Sequence, residues 1–103
     1  MSGRRRIANR RQSTTFNFDC NGLRYSCTAS HFDDGSLAEV FLGNGKAGSH
    51  VDSAAKDSAV VCSLALQFGV PVDVIRRALL RDPRGVASSA LGVALDVLAG
   101  GAP

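Results

Sequence analysis

The sequence predicts an α+β domain: a three-stranded antiparallel meander followed by three helices packed on one of its faces. Three observations lead there. Two segments of alternating apolar and polar residues flank Asn21-Gly22, and a third follows Asp33-Asp34-Gly35-Ser36, both being signals of tight turns. From residue 49 onward apolar residues recur at helical spacing, with breaks at Gly69-Val70-Pro71 and near Gly85. A chain of 103 residues has room for one small core, marginal unless a second surface covers part of it.

The first hairpin can be checked against itself. If Asn21-Gly22 forms a two-residue type I′ turn, Cys20 faces Leu23, Phe18 faces Tyr25 and Phe16 faces Cys27, so every pair on that face is apolar. Alternate pairs are Asp19 with Arg24, Asn17 with Ser26 and Thr15 with Thr28, all suited to a polar face. The second turn leads into a strand over residues 37–42, with Ala29 opposite Val40 and Cys27 opposite Leu42. The other face of that strand pair then carries Phe32, Leu37 and Phe41. They form a candidate interface for self-association, unless the register slips by one.

Ser49 is an N-cap candidate with Asp52 three positions on, and the first helix is expected to run to about Phe68 before Gly69 ends it. Its expected inward face is Val51, Ala54, Ala55, Ser58, Val61, Cys62 and Ala65. A second helix from Pro71 to about Leu80 places Val72, Ile75, Ala78 and Leu79 inward, with Asp73 near its positive end. A third, residues 86–98, faces inward through Ala90, Leu91, Ala94, Leu95 and Leu98.

Charge divides the chain into an Arg-rich tail, residues 1–13, expected to be disordered, and one domain over residues 14–100. The net charge of +3 comes from Arg4, Arg5, Arg6, Arg10 and Arg11; the remainder carries 7 basic and 9 acidic side chains. Such a tail reads either as a solubilising extension or as an arm for nucleic acid. Arg76, Arg77, Arg81 and Arg84 form a second basic set, which either complements the second helix's dipole or extends that footprint. No membrane span or secretion signal is visible, so the expected location is cytoplasmic.

The best candidate for a ligand is the Gly-rich turn Gly43, Asn44, Gly45, Lys46, Gly48 and Ser49, where helix amides and a lysine can receive an anion or nucleotide. Its spacing is neither GxxxxGK[ST] nor GxGxxG, and a tight strand-to-helix crossover explains the same glycines. Glu39 can pair with Lys46 or stand on a solvated strand face. His31 and His50 belong to no visible acid–nucleophile set, so no catalytic residue is assigned. Cys20, Cys27 and Cys62 have no CxxC or His-flanked spacing, so no metal site is assigned and the thiols read as core packing.

Three ordered blocks carry a resemblance: Glu39-Val40-Phe41-Leu42, Gly45-Lys46-Ala47-Gly48-Ser49, and Ser63-Leu64-Ala65-Leu66-Gln67-Phe68-Gly69-Val70-Pro71. Together they resemble the C-terminal TSCPD domain of adenosylcobalamin-dependent ribonucleotide reductases, over roughly residues 22–98, and small free-standing relatives of that domain. Where the family's Thr-Ser-Cys-Pro-Asp would fall, this chain reads Gly85-Val86-Ala87-Ser88-Ser89, without cysteine, proline or acid. The resemblance implies association with ribonucleoside-diphosphate reductase activity and deoxyribonucleotide synthesis. With those signature residues missing, the thiols read as buried and the chain short, the expectation is a non-catalytic accessory or nucleotide-binding module, with a reductase, a nucleotide or a second copy as partner. Adenosylcobalamin is implied only for the full-length enzymes, and no cofactor is expected on this chain. The alternative is a small nucleic-acid-binding protein that uses the Arg tail.

Overall fold

The computed structural model describes residues 3–7, 12–46 and 48–100. Strands β1 (Ser13–Cys20), β2 (Leu23–His31) and β3 (Leu37–Asn44) form an antiparallel sheet in the order β1-β2-β3. Three helices follow, α1 (His50–Gln67), α2 (Val72–Ala78) and α3 (Ala90–Leu98), giving the α+β meander-plus-helices plan.

The first hairpin has the expected register from Thr15↔Thr28 to Cys20↔Leu23. Asn21 and Gly22 both take left-handed φ, 53° and 78°, as a type I′ turn demands. Ala29↔Val40 and Cys27↔Leu42 also hold, but a bulge between Ser30 and His31 brings His31 opposite Leu37. Phe18, Cys20, Tyr25, Cys27, Ala29, Val40 and Leu42 therefore point into the core, and Phe18 stacks on Tyr25 with ring centroids 5.4 Å apart.

Helix α1 starts where expected, with the Ser49 hydroxyl accepting from the Asp52 amide, but it is rotated from the expected phase. Its buried residues are Asp52, Ala55, Ala59, Cys62, Ser63, Leu66 and Gln67, whereas Val61 is 67% exposed and Val51 38%. Counting apolar side chains gave the wrong stripe because three polar residues of α1 are wanted inside, against the edge of β3. Helix α2 stops at Ala78, which is exposed, while Val72, Ile75 and Leu79 pack on the core.

Helix α3 begins at Ala90 rather than residue 86. The Asp82 carboxylate accepts from the amides of Arg84 (2.8 Å) and Val86 (3.0 Å), and Ala87 bridges to Arg81. Those bonds hold residues 82–88 in a turn, a side-chain-to-backbone competition that defeats helix formation. Ser89 then caps α3, accepting from the Gly92 amide at 3.2 Å. Leu91, Ala94 and Leu95 complete the core beneath the sheet.

Candidate functional site

The junction of β3 and α1 gathers most of the residues singled out above. In an antiparallel pair, alternate residues turn their N–H and C=O toward the neighbour and the rest turn theirs outward. Cys20 and Leu23 close a two-residue turn and exchange both bonds, so following the register across the sheet leaves the even-numbered residues of β3 facing its open edge.

Helix α1 lies along that edge and satisfies it with side chains. The Asn44 amide donates to Asp52 Oδ1 at 2.9 Å. The Val40 amide donates to Ser63 Oγ at 2.9 Å, and the Ser63 hydroxyl donates to the Val40 carbonyl at 3.0 Å. Gln67 Nε2 donates to the Ala38 carbonyl at 3.2 Å. All three α1 side chains are buried, and each replaces part of a missing strand. Sequence reasoning missed them. The available signal was their spacing of 11 and 4 residues, which puts them on one helical face with Ala55, Ala59, Cys62 and Leu66.

Asp52 also decides what the Gly-rich loop does. Its carboxylate accepts from the Asn44 and Gly48 amides and pairs with Lys56 Nζ at 2.9 Å; the Lys56 bond first, then the Asn44 amide, hold it below the usual carboxylate range. An internal anion thus meets the amides expected to greet a ligand. Asn44 Oδ1 accepts from the Lys46 amide (3.0 Å), and Ser49 Oγ donates to the Lys46 carbonyl (2.8 Å), closing the turn on itself. The Lys46 side chain is exposed and has no ion pair among the described residues. Gly43 and Gly45 complete the turn beside Gly48, which has φ 80°.

Glu39 stands five residues up β3 from Asn44, roughly 16 Å at strand rise. It lines a groove of about 450 Å³ with Arg4, Phe41, Lys56, Val60 and Leu64. Phe41 (51% exposed) and Val60 (54%) are its apolar rim. The other two members of the candidate interface lie elsewhere. Phe32 is buried, with the Arg5 guanidinium 3.8 Å above its ring, and Leu37 packs against the core edge. The bulge before Phe32 and the arm above it separate these two side chains from Phe41.

Arg4 and Arg5 lie against the domain. Arg4 Nε donates to Gln67 Oε1, the Arg5 amide donates to the Gln67 carbonyl at 2.7 Å, and the Arg5 guanidinium pairs with Asp34 at 3.1 Å. Bonds from Ser36, then Arg5, pull the Asp34 carboxyl down to about 2. Arg6 is exposed; Arg10 and Arg11 fall outside the described residues. Within the second basic set, Arg81 grips Asp96 with two nitrogens (2.7 and 2.8 Å), Arg76 adds a third bond (3.0 Å), and Arg84 pairs with Asp82 (3.2 Å). That set fastens the end of α2 to α3 and is largely neutralised. Arg77 is exposed.

The thiols are buried. Desolvation pushes Cys27 and Cys62 up to about 11 and raises Cys20, which makes them poor nucleophiles near neutrality. His31 ends β2 and His50 opens α1. Among the described residues no cluster of His, Cys, Asp and Glu is placed to hold a metal, and no helix is long and apolar enough to cross a membrane.

Comparison with known proteins places this geometry in context. The family model described as the TSCPD domain matches residues 4–97, which includes the Arg4–Arg5 segment. The vitamin B12-dependent ribonucleotide reductase of Bradyrhizobium diazoefficiens is 33% identical over 73 residues, 71% of this chain. The enzyme of the same name from Agrobacterium fabrum is 31% identical over 70 residues, 68% of this chain. In each case the match covers 6% of the relative's length. No solved structure matches.

Proposed function

The chain belongs to the TSCPD domain family, and from that premise we propose that it is a non-catalytic accessory module of adenosylcobalamin-dependent ribonucleotide reduction, acting by docking on a reductase. One observation carries the reading: where the resemblance places the family's cysteine stands Ala87, buried against Gly92, and where it places the acid stands Ser89, a helix cap. Scaffold roles have replaced reactive groups there. The buried thiols and the self-closed loop leave the described part of the chain without an acid–base or nucleophilic set of its own.

Docking has a suitable surface in the Phe41, Val60 and Leu64 groove, rimmed by Arg4, Lys56 and Glu39. In this reading the corrinoid and the reacting cysteines belong to the reductase. Nucleotide binding at residues 43–49 is the less favoured form of the proposal, because Asp52 already faces the amides of Asn44 and Gly48. Nucleic-acid binding has less to draw on, since Arg4, Arg5, Arg76 and Arg81 are engaged within the molecule.

The test combines two measurements. The purified chain, given ribonucleoside diphosphate, adenosylcobalamin and a dithiol, should show no turnover. Titrated into a B12-dependent reductase, it should bind, and Phe41→Asp should weaken binding at least about tenfold by placing a charge in the apolar groove. Robust reduction by the chain alone, or no binding to the reductase, would overturn the proposal.

A further inference from the structure

The two edges of the sheet are treated differently. Along β3, α1 inserts Asp52, Ser63 and Gln67 to bond outward backbone groups of Asn44, Val40 and Ala38. Along β1, the same alternation turns Ser13, Thr15, Asn17 and Asp19 outward, and no described residue bonds to their backbone N–H or C=O groups. Among the described residues, nothing therefore pairs with that side of the eight-residue strand.

Proteins that keep such an edge unpaired usually block it with proline, lysine, a bulge or an inward-pointing charge. β1 reads Ser-Thr-Thr-Phe-Asn-Phe-Asp-Cys and has none of these; the sheet's bulge lies between β2 and β3. Its one charged side chain, Asp19, is already paired across the hairpin with Arg24 at 3.1 Å. On the core face, the aromatic row from Tyr25 through Phe18 ends at Phe16, which is only partly buried.

We propose that the outer edge of β1 is a homodimer interface, in which β1 pairs antiparallel with β1 of a second copy and joins two sheets into one of six strands. The strand is complementary to itself. With Asn17 on the two-fold axis, Asn17 exchanges both backbone bonds with Asn17 of the second copy, and Thr15 pairs with Asp19 of the second copy. Both are pairs of outward-facing residues, as the hydrogen-bond alternation requires. On the core face Phe16 then lies opposite Phe18 of the second copy, so the aromatic row continues across the axis. On the polar face, hydroxyl meets carboxylate and no two like charges are opposed. A second copy fits this edge better than an unrelated peptide because one register satisfies both faces at once.

Sedimentation equilibrium of the full chain under reducing conditions tests the interface. Wild type should be a dimer at high micromolar concentration. Asn17→Pro removes only an outward amide and leaves every β1–β2 bond in place, so it should raise the dimer dissociation constant about tenfold or more. Thr15→Lys, which puts a lysine on the exposed side of the edge, should do the same. Both variants should keep the wild-type circular dichroism spectrum, and if the proline variant unfolds, the lysine variant decides. A wild type that stays monomeric, or a dimer unmoved by the edge variant that folds, would overturn the proposal.

Discussion

Ser63 joins both backbone polar groups of Val40 from inside the core, so its hydroxyl replaces a strand neighbour for that residue. Ser63→Ala removes few atoms yet strands a buried amide and a buried carbonyl. The expected cost is about 1–3 kcal/mol, or a Tm lowered by about 4–8 °C for each kcal/mol, read by thermal circular dichroism. Ser53→Ala, the same change at an exposed position of α1 outside the bonded face, provides the control. Ionisable residues set the pH limits of the same fold. Asp34, Asp52, Asp82 and Asp96 all titrate below their unfolded range, because bonds from Ser36, Lys56, Val86 and Arg81 respectively favour the charged form. Their contribution is full above the unfolded carboxylate range, about pH 4, and is lost as pH falls through their lowered folded values, which for Asp34 is about 2, since the unfolded chain then binds more protons. Cys27 and Cys62 act with the opposite sign. Burial raises them to about 11 from an ordinary 9.0, so their contribution is full below about pH 8.5 and lost as pH rises through 11. The Tm measured against pH in reducing buffer should form a plateau bounded by these two windows; a plateau extending unchanged below pH 3 would contradict the carboxylate assignments.

At the scale of elements, the turn before α3 shows where local chemistry overrode helical periodicity. Residues 86–98 carry a plausible helix pattern, but Asp82 binds the amides of Arg84 and Val86, and the helix waits for its cap at Ser89. Gly92 lies so close to this turn that a Cβ there would come within 2.9 Å of Ala87 Cβ and 3.3 Å of Ser89 Oγ. Gly92→Ala gains about 1 kcal/mol of helix propensity, but overpacking of about 1–3 kcal/mol opposes it. The clash should win because Ala87 Cβ sits directly on the backbone and has no rotamer to retreat into. Adding Ala87→Gly should recover stability, with a favourable coupling of about 1 kcal/mol or more in a denaturant double-mutant cycle; purely additive effects would argue against the contact. The first hairpin was legible in sequence because one register explained two faces, the apolar pairs from Phe16 to Leu23 and the polar pairs from Thr15 to Arg24. Helix α1 was legible in its start and length but not in its phase. Periodicity weighs apolar residues, whereas the rotation was decided by Asp52, Ser63 and Gln67 meeting a strand edge whose position sequence does not reveal. The Gly-rich loop shows in the sequence through its glycines and lysine, but its electrostatics depend on Asp52, which the sequence marks only as a residue of the helix start.

Over the whole molecule, the N-terminal segment makes the clearest distinction between rival accounts of the chain. An arginine run looks like a detached electrostatic arm when only composition is visible, and a contact between Arg5 and Phe32, 27 positions apart, leaves no trace in periodicity. In the structure the Arg5 guanidinium covers Phe32 and pairs with Asp34, its amide bonds the Gln67 carbonyl, and Arg4 bonds the Gln67 side chain that also holds the edge of β3. The segment therefore straps the β2–β3 turn to the end of α1, above a hollow lined by Leu37, Leu66 and Val70. A strap and a nucleic-acid arm respond differently to removal. If residues 3–7 act as a strap, deleting residues 1–7 should lower Tm by about 5 °C, because a cation–π contact worth about 0.5–1 kcal/mol and the Gln67 bonds are lost together. Amide exchange should accelerate at residues 32–37 and at the end of α1, and Arg5→Ala should reproduce part of the effect. An arm for nucleic acid instead predicts an unchanged Tm and the loss of a steeply salt-dependent affinity for DNA. A truncated chain that melts and exchanges like the full one would remove the strap and restore the arm as the better account of these arginines.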